Sequence, residues 1–90
     1  MKHIDRIASY VTTELAKGRG RAAVGVDEDL LELGLLDSIS LVRLVAHLET
    51  TFEIEVLDED LLPENFHTIA SISAYVERRL AATGGVLRSA

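Results

Sequence analysis

The chain has no cysteine and no tryptophan, a single proline, Pro63, and four aromatic residues, Tyr10, Phe52, Phe66 and Tyr75. Without cysteine it can form neither a disulfide staple nor a thiolate metal site, which fits a reducing compartment. With so few aromatics, the core must be built from aliphatic side chains. Basic residues are also scarce: nine Lys and Arg against fifteen Asp and Glu give a net charge of -6. Neutralising a phosphate backbone needs clustered cations, so a nucleic-acid partner is not expected. An acidic surface suits a protein partner with a basic docking face. No apolar run approaches the length of a membrane span. The opening MKHIDRIASY is charged throughout and does not read as a signal peptide. No membrane association and a cytoplasmic location are the expectations, with the chain as an acidic monomer.

The histidines, His3, His47 and His67, are scattered, and the acidic runs lack the alternating ligands of a calcium loop. No metal site is therefore expected. GRGRAAVG, residues 18–25, has glycines but no strand before it and no helical period directly after it. It is not a phosphate-binding loop.

What the chain does have is apolar periodicity. Apolar residues make up 48% of its 90 residues, enough for one small folded domain. Ile4, Ile7, Ala8, Val11 and Leu15 fall on one helical face and predict a first helix over residues 2–17. Gly18 and Gly20 stop it and open a long exposed loop. Within that loop Asp27 can cap a short turn, with Leu30, Leu31 and Leu33 anchored in the core, and Gly34 breaks it. A loop of about 20 residues in so small a domain is often functional.

A second helix is predicted over 38–51. Leu41, Leu44, Val45, Leu48 and Phe52 face inward, and Asp37 or Ser38 caps it. FEIEV, 52–56, alternates but has no partner strand, so it reads as an extended connector. DEDLLPENF should hold one short helical turn, limited by Pro63. Thr68 caps a last helix over 68–81, with Ile69, Ile72, Tyr75, Val76 and Leu80 inward. TGGVLRSA, 83–90, reads as a frayed tail beyond a domain of residues 1–82. The fold class is all-α, a small bundle of three to four helices with a long first loop, because none of the apolar stripes can bury itself alone.

Ser38, in LGLLDSISLVRLVAHLE (residues 33–49), is the residue with chemical interest. A nucleophilic serine needs a base within hydrogen-bond reach and an oxyanion hole. His47 follows nine residues later on the same helix, roughly 13 Å away at the helical rise, and no G-x-S-x-G pattern surrounds Ser38. Ser38 could equally be the helix cap and nothing more. As a modified residue, it would place a phosphate ester at a helix N-terminus, where free N–H groups and the helix dipole favour an anion. Asp37 could then cap the helix and leave the hydroxyl free, with Leu36 and Ile39 framing it as a small apolar patch. Ser40 is the competing hydroxyl but lacks the preceding aspartate.

Gly34-Leu35-Leu36-Asp37-Ser38-Ile39, followed by Leu41, Leu44, Val45 and Leu48, resembles the phosphopantetheine attachment motif of acyl and peptidyl carrier proteins. The similarity extends over about residues 3–80, including FEIEVLDEDLLPENFHTIASISAYV. The resemblance implies that Ser38 carries 4'-phosphopantetheine, transferred from coenzyme A by a phosphopantetheinyl transferase that supplies the base and the magnesium ion. The chain itself would not be an enzyme. Its arm would hold an acyl or aminoacyl group as a thioester for a loading enzyme and for downstream synthase, transferase or tailoring enzymes.

The resemblance also implies that the second helix is the docking element, with Leu36, Ile39, Val42, Arg43 and Ala46 at the partner face. His47 sits at the edge of that face and Glu49 further on. Carriers of fatty-acid synthesis have an acid-rich second helix, and this one does not. The PENF stretch looks more like stand-alone carriers of polyketide, nonribosomal-peptide, antibiotic or D-alanine pathways. Leu62, Phe66 and Ile69 would lie near the arm. The rival readings are a non-covalent helical interaction module, a fatty-acid carrier and a small hydrolase.

Overall fold

The computed structural model describes residues 3–16 and 24–82 in full, and the helical backbone of 83–89. The segment GRGRAA, 18–23, which the sequence assigns to the opening of the loop, lies outside the described residues. Helix α1 spans Ile4–Tyr10 and continues directly into a π-helical stretch, Val11–Ala16, so the first helical run matches the apolar stripe. Ile7, Val11 and Leu15 are buried on it, with Ile4 and Ala8 packed at the edge. α2 spans Ser38–Phe52, α3 is the four-residue Pro63–Phe66, and α4 runs Ile69–Ser89. A single 3-10 turn, Asp58–Asp60, precedes α3. There is no strand among the described residues, and FEIEV beyond Phe52 is an extended connector.

α4 is the common neighbour, since α1, α2 and α3 all pack on it. The reason is the stripe Ile69, Ile72, Tyr75 and Val76, which is almost fully buried. Burying the aliphatic members, Ile69, Ile72 and Val76, contributes about 1.5–3 kcal/mol each against leaving them in water. Leu44, Leu48 and Phe52 complete the core from α2, and Ile54, Val56 and Phe66 from the connector and α3.

Local chemistry sets the helix ends. The Ser71 N–H donates to Thr68 Oγ1 and the Thr68 N–H to Ser71 Oγ, a reciprocal cap at the start of α4. Pro63 occupies the first turn of α3, where its missing N–H costs nothing, so it starts a helix rather than limiting one. DEDLLPENF consequently holds two short helical turns where one was expected. α4 also passes the expected end near residue 81 and the expected frayed tail from residue 83. Its backbone stays helical through Gly84 and Gly85 to Ser89. Extending an existing helix needs no new nucleus, and each glycine costs only about 1 kcal/mol relative to alanine.

The long loop is tied down at two places, Val26 and Leu30. Leu30 N–H donates to the His67 carbonyl, Ala70 N–H to the Val26 carbonyl, and Leu30 is fully buried. Asp29, not Asp27, caps the turn, accepting from the N–H groups of Leu31 and Glu32. Leu30 is the anchor of that turn and Leu33 packs at the core edge, whereas Leu31 points outward and is 42% exposed. Gly34 takes φ 72°, the left-handed conformation that glycine adopts without strain. The chain then turns back, with Leu35 N–H bonded to the Leu30 carbonyl, and delivers Asp37 to the start of α2. No helix among the described residues is long and apolar enough to cross a membrane.

Candidate functional site

Ser38 is the first residue of α2, and Asp37 is its N-cap. The Asp37 backbone is extended, and its Oδ1 accepts from the Ser40 N–H at 2.8 Å. The Leu41 N–H donates to the Asp37 carbonyl at 2.8 Å. Asp37 therefore does the capping, and Ser38 is left exposed with no hydrogen bond to its hydroxyl among the described residues. Asp37 takes the Ser40 N–H, and no further acidic residue follows in the first turn of α2, so the helix start repels an incoming anion with that one carboxylate alone while its dipole favours it. These features fit a phosphodiester on Ser38 Oγ.

Beside Ser38 lies a cleft of about 310 Å³. One wall is Leu36, Asp37, Ser38 and Leu41, the opposite wall is Leu61, Leu62, Pro63 and Phe66, and Leu31 closes one side. Apart from Asp37 and Ser38, every one of these side chains is apolar, so the cleft offers an oily surface with its polar groups gathered at the serine. Leu62 and Phe66, expected near the arm, line this cleft. Ile69 is fully buried and belongs to the core.

No histidine lines the cleft. His3 pairs with Glu77 at 3.5 Å and meets the Phe52 ring edge-on. His67 Nδ1 lies 2.8 Å from the Pro63 carbonyl. His47 stacks on Tyr10 at 4.0 Å between ring centroids. Burial in that stack lowers the His47 pKa from its ordinary value, against the opposing pull of Glu14. Burial likewise raises that of Tyr10, with Arg43 acting against it. Among the described residues there is no cluster of histidine and carboxylate side chains able to hold a metal ion.

The expected docking residues separate into two groups. Ile39 and Val42 stand outward at 73% and 68% exposure, an unusual level for large aliphatics, and Ala46 is exposed beside them. Arg43 is also exposed and meets Glu14 of the first helical run at 3.6 Å. Leu36, expected at the partner face, is instead 6% exposed and part of the core, because the chain entering α2 turns its side chain inward beside Leu35. Glu49 is turned to an internal role, its Oε2 accepting from the Val56 N–H at 3.0 Å. His47 is half-buried against Tyr10 rather than at the outer edge. Sequence reasoning missed Leu31, Leu61 and Pro63 as cleft residues. The available signal was the pair Leu61-Leu62, apolar residues with no helical period to bury them, directly before a proline.

The family model described as phosphopantetheine attachment site matches residues 5–76, most of the chain. The D-alanyl carrier proteins of Streptococcus pyogenes serotype M5 (strain Manfredo) and serotype M1 are 38% identical over 52 residues, 58% of this chain. That match spans 66% of those relatives' own length, just under two thirds. A chain of the solved structure described as a crystal structure of FAD-dependent dehydrogenase superposes with a TM-score of 0.69 at 28% identity, covering 78% of this chain and 97% of that one. An all-helical bundle, an exposed serine beside the N-cap of α2 and a family match running across both agree, and the chain belongs to the phosphopantetheine attachment site family, whose members hold 4'-phosphopantetheine covalently.

Proposed function

We propose that Ser38 is the attachment residue and that the chain carries an aminoacyl or short acyl group on the arm bound there. The single observation behind this reading is the division of labour at the start of α2: Asp37 takes the cap, so the Ser38 hydroxyl stays exposed and disengaged. In the modification, Ser38 Oγ attacks the phosphorus of coenzyme A that bears the pantetheine. A new P–O bond forms, the pyrophosphate bond breaks, and adenosine 3',5'-bisphosphate leaves. The serine proton passes to a base of the phosphopantetheinyl transferase, since this chain brings no histidine to the cleft. The arm, once attached, supplies a terminal thiol for acyl cargo. The chain supplies an address and a tether, raising the local concentration of cargo at partner enzymes.

The likeness to D-alanyl carrier proteins supports an aminoacyl cargo activated by a separate loading enzyme. The likeness to a chain described with an FAD-dependent dehydrogenase supports a flavin dehydrogenase as one downstream tailoring partner. Both fit a carrier of nonribosomal-peptide, polyketide or related biosynthesis in the cytoplasm. Ile39, Val42 and Ala46, with the Arg43–Glu14 pair at their edge, form the face that partners read.

The test is intact mass. Incubation with coenzyme A, magnesium and a promiscuous transferase should add one phosphopantetheine mass to the wild-type chain and to Ser40→Ala, and none to Ser38→Ala. An unchanged mass of the wild-type chain with several such transferases would refute the reading. Preserving the thioester on protein from the native host would then report the cargo.

A further inference from the structure

The wall of the cleft facing Ser38 lies on a segment with little structure of its own. Leu61 and Leu62 sit between a three-residue 3-10 turn and the four-residue α3. Helices this short are not self-supporting, and both leucines are substantially exposed, 39% and 45%. What holds them comes from α4. The Tyr75 hydroxyl donates to Asp60 Oδ2 at 2.8 Å. The Asp60 carbonyl accepts from Asn65 Nδ2 at 2.8 Å and from the Leu62 N–H at 2.8 Å. Arg78 donates to Asn65 Oδ1 at 3.1 Å and lies over the Tyr75 ring. Asp60 is therefore pinned on both its side chain and its carbonyl immediately before the two leucines, and Tyr75 is itself fixed in the core at 2% exposure.

From this arrangement we infer that Tyr75 and Asp60 are positioning residues: their hydrogen bond fixes the Leu61–Leu62 wall opposite Ser38, and so sets the surface that a modifying or delivering enzyme meets there. The inference rests on Ser38 as the attachment residue. Neither side chain lines the cleft; they act through the leucines. The latch residue Asp60 directly precedes the wall in the chain, whereas the reacting hydroxyl lies on α2, across the cleft. Loss of the latch should consequently weaken recognition and leave the chemical step unaltered.

The experiment measures transferase kinetics on the full apo chain, well below its melting temperature, for wild type, Tyr75→Phe, Asp60→Ala, Asp60→Asn and the double variant Tyr75→Phe/Asp60→Ala. Asn keeps an oxygen that can accept from the phenol, so it serves as the rescue. Tyr75→Phe and Asp60→Ala should each raise KM about three- to tenfold, the range of one hydrogen bond, with kcat held. The double variant should match the singles, and Asp60→Asn should stay near wild type. In parallel, NMR cross-peaks between the Leu61 and Leu62 methyls and the Ser38–Leu41 wall should weaken in the two latch variants only. Ile4→Ala, remote from the cleft, controls for reduced stability and should leave KM unchanged. An unaltered KM in Tyr75→Phe, whether or not its methyl cross-peaks weaken, overturns the inference, as does an equal KM rise in Ile4→Ala. A wild-type chain that accepts no arm at all overturns the attachment reading, and this inference with it.

Discussion

Replacing Asp37 separates the two duties carried by neighbouring residues at the head of α2. In the native chain the Asp37 carboxylate accepts the Ser40 N–H at 2.8 Å, at an exposed helix start with no other acidic residue in the first turn. Asp37→Ala removes that cap, which costs about 1 kcal/mol, within a range of about 0.5–2. For a domain of this size that is a fall in melting temperature of about 4–8 °C. Asp37→Asn keeps an acceptor oxygen and forfeits only the charge–dipole contribution, about 0.3–1 kcal/mol. The order of stability should be wild type, Asn, Ala, read by urea unfolding with an unchanged m-value.

The second consequence is chemical. With Asp37 gone, Ser38 is the next side chain able to satisfy the free N–H groups of the first turn, and in doing so it draws its hydroxyl inward. Modification of Asp37→Ala should therefore slow by more than its unfolded fraction explains. An Asp37→Ala chain as stable as wild type refutes the cap. A destabilised Asp37→Ala chain modified at the wild-type rate refutes the claim that the cap keeps Ser38 available.

Three further outcomes are expected. Burial, reinforced by the Asp60 hydrogen bond, pushes the Tyr75 phenol up to about 12 from an unfolded value near 10. The stability this contributes is complete below pH 10 and is lost as pH rises toward 12, on the order of 1–2 kcal/mol once solvent screening is allowed for. Urea midpoints taken across that range should show a larger loss in wild type than in Tyr75→Phe, where only the raised Tyr10 remains. Ser73 is fully buried in α4 with no hydrogen-bond partner for its hydroxyl among the described residues, so Ser73→Ala should raise stability by about 1 kcal/mol; a lower melting temperature would refute this. Glu53 closes α2 in the left-handed conformation at φ 54°, which strains a side-chain-bearing residue. Glu53→Gly should relieve that strain and stabilise by about 0.5–1 kcal/mol net of the extra freedom of the unfolded chain, measured as a shift in urea midpoint.

The helical stripes were legible because apolar spacing is a local property. Ile7, Val11 and Leu15, then Leu44, Leu48 and Phe52, then Ile69, Ile72 and Val76 are buried as their periods require. Thr68 was legible as a cap for the same reason, its partner Ser71 being three residues away. The errors fall where sequence neighbours do not decide the environment. Leu31 and Leu36 exchange roles relative to expectation, one outward at 42% exposure and one inward at 6%, because a loop without a period turns each side chain according to what it packs on. Likewise, Glu49 looked like an outer-face charge until the connector brought the Val56 N–H to it.

The sequence by itself determined the class of protein and singled out the proposed attachment residue: an acidic, cysteine-free helical bundle with an Asp-Ser pair at the start of an amphipathic helix. Those features depend on composition, period and adjacent residues, all of which are written in order along the chain. Only the tertiary structure decided what surrounds the serine. The cleft wall of Leu61 and Leu62 stands more than twenty residues from Ser38 in sequence and is held by Tyr75 and Arg78, further on again. Those contacts exist because burying the α4 stripe folds the segment before it back against α2, and no local pattern encodes the distances that result.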